Sequence, residues 1–404
     1  MKKIIVTGAG FGNMGAEAMI FVVVNELRHL YKDVKIIVAN SGKCPNRYKD
    51  TKEFEYVETG KSEYYYIASK KEKAKWILKT IYSKIRGRKT INLRTFERVA
   101  KDADAIIDIS GFALGDQWSD VNCLTFLSRI QLAKDIQIPI ILMPQSFGPF
   151  NFQGKQKLLI LKKIDELMSY PQRIYTREKQ GYELLKNSYH LNNVKMASDI
   201  VLSSKEDVKD GNGIYTSRGE QFKIKQNSIA IIPNAHCYDY GKDKIIDLYE
   251  EIIKHLLSTG KYVYLIRHSK ADENVCQKVK KVFEDDPNVI LCNNIASCFE
   301  FSDIIKEFKF VIASRYHSVV HSYKKNTPCI VIGWATKYHE LLKSMGQDGY
   351  FNDIRTTITP SEVIKMIKRM DDNIDKERAI IGERLEGIQN AGLFVEVQRL
   401  LNNN

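Results

Sequence analysis

The sequence predicts an α/β protein built from two doubly wound halves that face a cleft. Three observations carry this. Short, continuously apolar, β-branched runs recur along the 404 residues. Such runs suit parallel strands covered on both faces. They alternate with helical patterns, which is the rhythm of βαβ units. Finally, one polar, glycine-bearing stretch without periodicity, KEDVKDGNGIYTSRGEQFKIKQN at 205–227, separates the runs into two sets.

In order, KKIIVTG, VKIIVA, ADAIIDIS, PIILMPQ and RIYT are the expected strands of a first domain, 1–204. SIAIIPN, KYVYLIRH, NVILC, FKFVIASR and PCIVIGW are those of a second, 228–404, with 205–227 as the linker. The segment TPSEVIKMIKRMDDNIDKERAIIGERLEGIQ near the C-terminus is helical by period, with Thr359 or Ser361 ahead of Glu362 as its cap. Residues 41–101 depart from this rhythm and read as a long polar insertion in the first domain. The insertion carries SKKEKAKWILKTIYSKIRGRK at 69–89, where Trp76, Ile77, Ile81, Tyr82 and Ile85 share one helical face among mostly positive charges. A basic amphipathic helix of this kind lies on an anionic membrane surface, or else packs on its own domain with its lysines in water.

Composition bounds the class of function. An apolar fraction of 44% and a charged fraction of 27% are those of a globular chain with a sizeable core. The net charge of +13 attracts anions without saying which. No RRM, zinc-finger or basic-zipper pattern is present, so no nucleic-acid partner is expected. No run approaches the roughly 18–20 apolar residues of a transmembrane helix. The N-terminal residues enter a strand at once, so no signal peptide is expected. Seven scattered cysteines without CxxC spacing point to reduced thiols in a cytoplasm, and away from a disulfide frame or a structural zinc site.

The stretch KIIVTGAGFGNMGAEAM at 3–19 poses the question of a dinucleotide fingerprint. Gly8-Ala9-Gly10 follows the strand directly, but the third glycine position is then Asn13. Gly10, Gly12 and Gly15 spell GxGxxG two residues too late. The second strand ends in Asn40 and Ser41, without the acidic residue that holds a ribose. A nicotinamide or flavin dinucleotide is therefore not expected. The glycines instead allow close approach of the backbone. The helix that follows offers amide donors and its positive end. Asn13 and Glu17 there are candidates for sugar hydroxyls, and Glu17 also reads as a first-turn carboxylate that merely stabilises the helix.

The densest signal is FVIASRYHSVVHSYKKNTPCIVIGWATKYHE at 310–340. Ser314 and Arg315 stand at the carboxyl end of one expected strand, His317 at a helix start, and Lys337 just beyond the next strand. Ligands of doubly wound sheets bind outside the carboxyl ends of the strands. Arginine grips a carboxylate or phosphate in two places and lysine is a compact charge, so the trio suits a small, doubly anionic ligand. His317 and His321 have the spacing of HExxH, but Ser318 replaces the glutamate, so the zinc-protease reading fails, and the residues leave a divalent-metal requirement open. Arg177, directly after RIYT, stands at a carboxyl edge of the first half, or forms a surface pair with Glu178.

At these residues the chain resembles the polysaccharide pyruvyl transferase family over nearly its whole length. FGNMGAEAM is similar to the family's asparagine–glycine–acidic helix start, and ISGFALGDQW, with Asp116, to its glycine-rich loop. PIILMPQSFGPF is similar to its proline–glutamine–glycine–proline segment and YTREKQGYELL to its arginine–glutamate segment. SRYHSVVHSYKKNTPCIVIGWATK resembles its serine–arginine–x–histidine motif, with a lysine twenty residues after the histidine. The resemblance implies two Rossmann-like domains of the GT-B type. It implies phosphoenolpyruvate as donor, a pair of sugar hydroxyls as acceptor, and a pyruvate ketal and phosphate as products; no organic cofactor is expected beside the donor. It implies Arg177, Arg315, His317 and Lys337 as the donor site, with His317 as general acid or base. Asn13, Glu17 and Asp116 would serve the acceptor. Two departures stand out: Ala16 replaces an acidic residue of many relatives, and the basic insertion is unusual. The insertion would suit a lipid-linked acceptor at the inner face of a membrane. Two other readings stay open on the residues alone, a GT-B glycosyltransferase using a nucleotide sugar and a non-catalytic anion-binding protein.

Overall fold

The computed structural model describes residues 1–87, 92–207, 223–292, 295, 297–356 and 358–403. The chain forms two compact units. The first comprises Met1–Phe11, Met19–Ile200 and Leu393–Asn404, and the second comprises Gly12–Ala18 and Val201–Gly392.

The first unit is a parallel sheet of eight strands: β1 (Lys2–Thr7), β2 (Val34–Asn40), β3 (Glu55–Glu58), β4 (Ala105–Asp108), β5 (Phe112–Leu114), β6 (Ile140–Phe147), β7 (Arg173–Thr176) and β8 (Val194–Met196). Their spatial order is β3-β2-β1-β4-β6-β7-β8, with β5 paired to β6. Central strands such as β1, β4 and β6 are wholly buried or nearly so because helices cover both faces. The helix Asp120–Asp135 contributes Leu124, Phe126, Leu127 and Ile130 to this core.

The second unit has β9 (Ser228–Ile232), β10 (Tyr262–Ile266), β11 (Val289–Cys292), β12 (Val311–Ala313), β13 (Cys329–Gly333) and β14 (Phe351–Asp353). All pair in parallel in the order β11-β10-β9-β12-β13-β14. The helix Asp243–Ser258 covers it through Ile245, Leu248, Tyr249, Ile252, Ile253 and Leu256, one apolar stripe at helical spacing. In both units the chain builds outward in one direction and then restarts beside the first strand. This creates a switch point, between β1 and β4 in the first unit and between β9 and β12 in the second.

All ten expected strands are present. Four more appear, β3, β5, β8 and β14, each three or four residues long; β5 is the tripeptide FAL, and the other three carry a charged or polar residue within the strand. The stretch 41–101 is no mere excursion. It supplies β3, and two short helices, Ser62–Ile67 and Thr95–Ala100, bring Tyr64, Phe96 and Ala100 into the core. The basic helix runs Lys70–Ile85 with Ser69 as its N-cap and a reciprocal Ser69–Glu72 capping box; residues 88 and 89 of the expected helix lie outside the described residues. So do residues 208–222 of the expected linker, and the units divide between Ile200 and Val201. The last helix, Leu393–Asn402, expected with the C-terminal half, belongs to the first unit. There Glu396 pairs with Arg173 and Lys195. Thr359, not Ser361, caps the helix Pro360–Asp372, its N–H donating to Glu362 Oε2 at 3.0 Å. Among the described residues no helix is long and apolar enough to cross a membrane.

Candidate donor site in the second unit

The second unit's switch point is organised around Ser314, the first residue after β12. Its N–H donates to the Ile232 carbonyl of β9 at 2.9 Å. Its own carbonyl accepts from Asn234 Nδ2 at 2.8 Å and from the Tyr338 hydroxyl at 3.0 Å, and its hydroxyl meets that of Tyr249 at 2.8 Å. Every polar group of Ser314 is thus satisfied inside the protein, and the chain leaves the strand in one fixed direction. Arg315 is the next residue, at the N-cap of the helix Tyr316–Lys324.

Arg315 is oriented by Asp272, a fully buried carboxylate from the loop after β10. Arg315 Nε lies 2.9 Å from Oδ2 and 3.1 Å from Oδ1, and Nη2 lies 2.5 Å from Oδ1. The same carboxylate accepts the backbone N–H of Ala235 at 2.9 Å and of Ser269 at 3.0 Å. Four donors from three segments make Asp272 a rigid seat for the guanidinium.

His317 is the second residue of its helix, with its ring 5.4 Å from that of Tyr316. Gly15 packs directly against it: a Cβ on Gly15 would stand 2.1 Å from His317 Cγ. Lys337, just past β13, holds its ammonium 5.5 Å from the Tyr316 ring and 5.9 Å from the Tyr338 ring, within the range of a cation–π contact. Arg315, His317 and Lys337 are therefore gathered about Tyr316 at the carboxyl edge of one sheet. Behind them lies His268, buried at the end of β10 with its ring edge-on to Phe301 at 5.1 Å and 6.3 Å from the ring of His321. Burial first, and then the neighbouring His321, His317 and Arg315, pushes the His268 pKa well below the ordinary histidine value, so this imidazole is neutral. His321 is fully buried against Phe301. Among the described residues no group of three or more His, Cys, Asp or Glu could hold a metal ion.

The N-terminal motif joins this unit through residues 12–18. Asn13 is exposed, pairs as an isolated bridge with Ser269, and caps its own helix by accepting the Ala16 N–H at 2.9 Å. Glu17, read either as an acceptor ligand or as a first-turn carboxylate, is buried, and its Oε2 accepts the Cys298 N–H at 2.7 Å. It thus holds the N-terminus of the helix Cys298–Ile305, where a carboxylate is favoured by the unpaired amides and the helix dipole.

Asp116 and Arg177 belong to the first unit. Asp116 follows β5, half-buried, with its N–H on the Pro149 carbonyl at 2.8 Å. Arg177 is no surface pair: its side chain is 3% exposed. Nη1 donates to Asp199 at 2.8 Å, and Nη2 donates to the Gly111 carbonyl and to Ser146 Oγ, each at 2.8 Å. The glycine turn is likewise spent on packing. Gly8 takes φ +99°, and a Cβ there would lie 2.4 Å from Ser110 Oγ. The Asn40 amide ties the turn, donating to the Ala9 carbonyl and accepting the Gly42 N–H. Asn40 thus occupies the strand end where a ribose-binding carboxylate would stand.

Sequence reasoning missed Asp272, His268 and the role of Gly15. Arg267 and His268 follow a strand just as Arg315 does, so the carboxyl-edge rule was a signal for them. Asp272 stands three residues after Ser269, the spacing of a capping box, but nothing local points it at Arg315.

A family model described as polysaccharide pyruvyl transferase matches residues 13–336, most of the chain. No curated protein matches it. Solved structures similar to it include the UDP co-structure of MnaA from S. aureus, at 13% identity and TM-score 0.59, covering 98% of this chain and 95% of that one. The UDP-GlcNAc 2-epimerase of Neisseria meningitidis, bound to UDP-GlcNAc, is 12% identical with TM-score 0.59 over 100% of both chains. The glycotransferase of kitacinnamycin is 13% identical with TM-score 0.55 over 98% of both. These likenesses bear on the fold alone, which is α/β of the GT-B type with two Rossmann-like sheets.

Proposed function

The chain belongs to the polysaccharide pyruvyl transferase family, and we propose that it transfers pyruvate from phosphoenolpyruvate to two hydroxyls of a sugar, as a ketal, in the making of a cell-surface polysaccharide. The observation that carries this reading is the grouping of Arg315, His317 and Lys337 around Tyr316 at one sheet edge. The donor has two anionic groups, a carboxylate and a phosphate, and the group supplies two fixed cations. With Nε and Nη2 committed to Asp272, Arg315 would meet the donor through Nη1.

In this reading His317 acts as general acid and protonates the methylene carbon of the enol phosphate, turning it into a methyl group. Positive charge develops at the central carbon, and the first sugar hydroxyl adds there and loses its proton. The C–O bond to phosphate breaks, and phosphate leaves with the electron pair, stabilised by Lys337 and Arg315. The second hydroxyl then closes the ketal and releases its proton. One proton is consumed at the methyl carbon and two are released from the hydroxyls. Asn13 and Asp116 are the acceptor-side candidates. Arg177 and Glu17, both held in internal hydrogen bonds, act by positioning their surroundings.

Thermal stabilisation by phosphoenolpyruvate tests this. At 100 times its dissociation constant a ligand adds about 2.7 kcal/mol. Wild type should show the shift, and Arg315→Ala and His317→Ala should lose most of it. The nucleotide sugars named for the similar folds provide the competing ligand. A shift with a uridine diphosphate sugar and none with phosphoenolpyruvate overturns the reading.

A further inference from the structure

The helix Lys70–Ile85 sits on the first unit the wrong way round for a globular protein. An ordinary surface helix buries its apolar stripe and turns its charges to water. Here the contacts to the body are made by the opposite side. Glu72 accepts the Tyr64 hydroxyl, Lys73 donates to the Tyr66 carbonyl at 3.2 Å, and Trp76 packs on Tyr65 at 5.4 Å. None of the helix's residues is buried. The apolar side faces out, with Ile77 46%, Leu78 67%, Ile81 51%, Tyr82 53% and Ile85 78% exposed. At helical spacing these five fall on one side. The expected face is thus present except for Trp76, which has turned inward as the anchor.

A contiguous apolar patch on a stable surface marks a contact with something outside the chain. The charge around it says what. Lys70, Lys71, Lys73, Lys75, Lys79, Lys84 and Arg86 stand against the single acid Glu72. A second copy meeting this face would set like charges against each other. An anionic bilayer supplies both the negative charge and the apolar layer. Sixteen residues give a helix about 24 Å long, suited to lie in the interface plane.

We propose that the helix Lys70–Ile85 is a peripheral membrane-docking element that seats Ile77, Leu78, Ile81, Tyr82 and Ile85 in the headgroup region of an anionic leaflet. Its lysines meet the surface charge, and the first unit rides on its polar side.

Co-sedimentation with phosphatidylcholine vesicles, with and without phosphatidylglycerol, tests this on the full chain. Neither phosphoenolpyruvate nor acceptor is added, so the result is independent of the pyruvyl-transfer reading. Binding is expected to vesicles with phosphatidylglycerol, to weaken steeply with added salt, and to be lost on neutral vesicles. Ile81→Asp, and separately Lys75→Glu with Lys79→Glu, should each weaken it roughly tenfold or more. The melting temperature should stay unchanged, because these side chains are exposed. Failure of wild type to bind anionic vesicles overturns the proposal. So does unchanged binding by both variants, or a concentration-dependent dimer that Ile81→Asp dissociates.

Discussion

Gly15 lies so close to His317 that a Cβ added to it would stand 2.1 Å from the imidazole Cγ and 2.5 Å from Nδ1. No rotamer adjustment of a methyl group relieves such a contact, so either the ring or the helix start must move. Gly15→Ala is therefore expected to displace His317 and, on the role proposed for that imidazole, to lower kcat by about a hundredfold, the cost of an ångström-scale misplacement. Gly12 has nothing within 4 Å of the corresponding position. Gly12→Ala should keep near-wild-type rates. Steady-state kinetics on the two variants checks the contrast, and equal losses would refute it.

Asp272 orients Arg315 without being available to a ligand itself. Asp272→Ala leaves the guanidinium without its seat and two backbone amides, of Ala235 and Ser269, without their acceptor. Roughly 2–4 kcal/mol of stability should be lost, below the ceiling for a fully buried pair because Arg315 keeps some exposure. Phosphoenolpyruvate affinity should fall at the same time. Chemical denaturation and ligand titration on the variant measure both. Unaltered affinity would show that the orientation of Arg315 does not matter to the donor.

His268 makes stability depend on pH in a defined direction. Burial, with His321, His317 and Arg315 nearby, lowers its folded pKa. Between that value and the unfolded value near 6.5 the unfolded chain binds the extra proton. The contribution is therefore fully present above about pH 6.5 and is lost as pH falls below it. The slope is at most about 1.4 kcal/mol per pH unit. Melting curves across pH 5–8 should show this loss, and His268→Gln should flatten it. An equally steep curve in the variant would assign the effect elsewhere.

The thiols offer an inexpensive check on the packing of both units. Of seven free cysteines, six are buried and Cys44 is half-buried. Burial pushes the thiols of Cys237, Cys276, Cys292 and Cys329 up to about 12, which leaves almost no thiolate at pH 8. A disulfide reagent should modify one thiol per native chain, and all seven after denaturation. Several fast-reacting thiols in the native state would contradict the packing.

Most of the strands that were legible in the sequence have a reason to be apolar throughout; β11, at a sheet edge, is apolar without it. β1, β2, β4, β6, β9 and β10 are covered on both faces, so their burial is written as a continuous run. The missed ones are short, and β3, β8 and β14 lie at sheet edges, where one side needs no neighbour and the sequence is free to read EYVE, VKM or FND. The same logic explains the insertion at 41–101. Its polar stretches hid Tyr64 and Phe96, whose burial depends on which helices pack beneath them.

Within the candidate site, the carboxyl-edge rule found Arg315, His317 and Lys337 because strand ends are marked locally, by the change from apolar run to polar residue. The rule says nothing of who meets whom. Glu17 read equally well as an acceptor ligand or a first-turn carboxylate, and it turned out to bind the amide of Cys298, 281 residues away. Arg177 read as a ligand or a surface pair, and it sits in a buried network with Asp199 and Ser146.

Periodicity, burial and chain direction are properties of neighbouring residues, so the sequence by itself determined the α/β class, the parallel strands, the basic amphipathic helix and the strand-end positions of the cationic cluster. Partnership was decided only by the tertiary structure: Gly15 against His317, Asp272 under Arg315, Glu17 on a distant helix end, and the basic helix with its apolar side turned outward. The physical reason is that contact requires proximity in space. Proximity is set by strand order and by the packing of faces, and local sequence chemistry records neither.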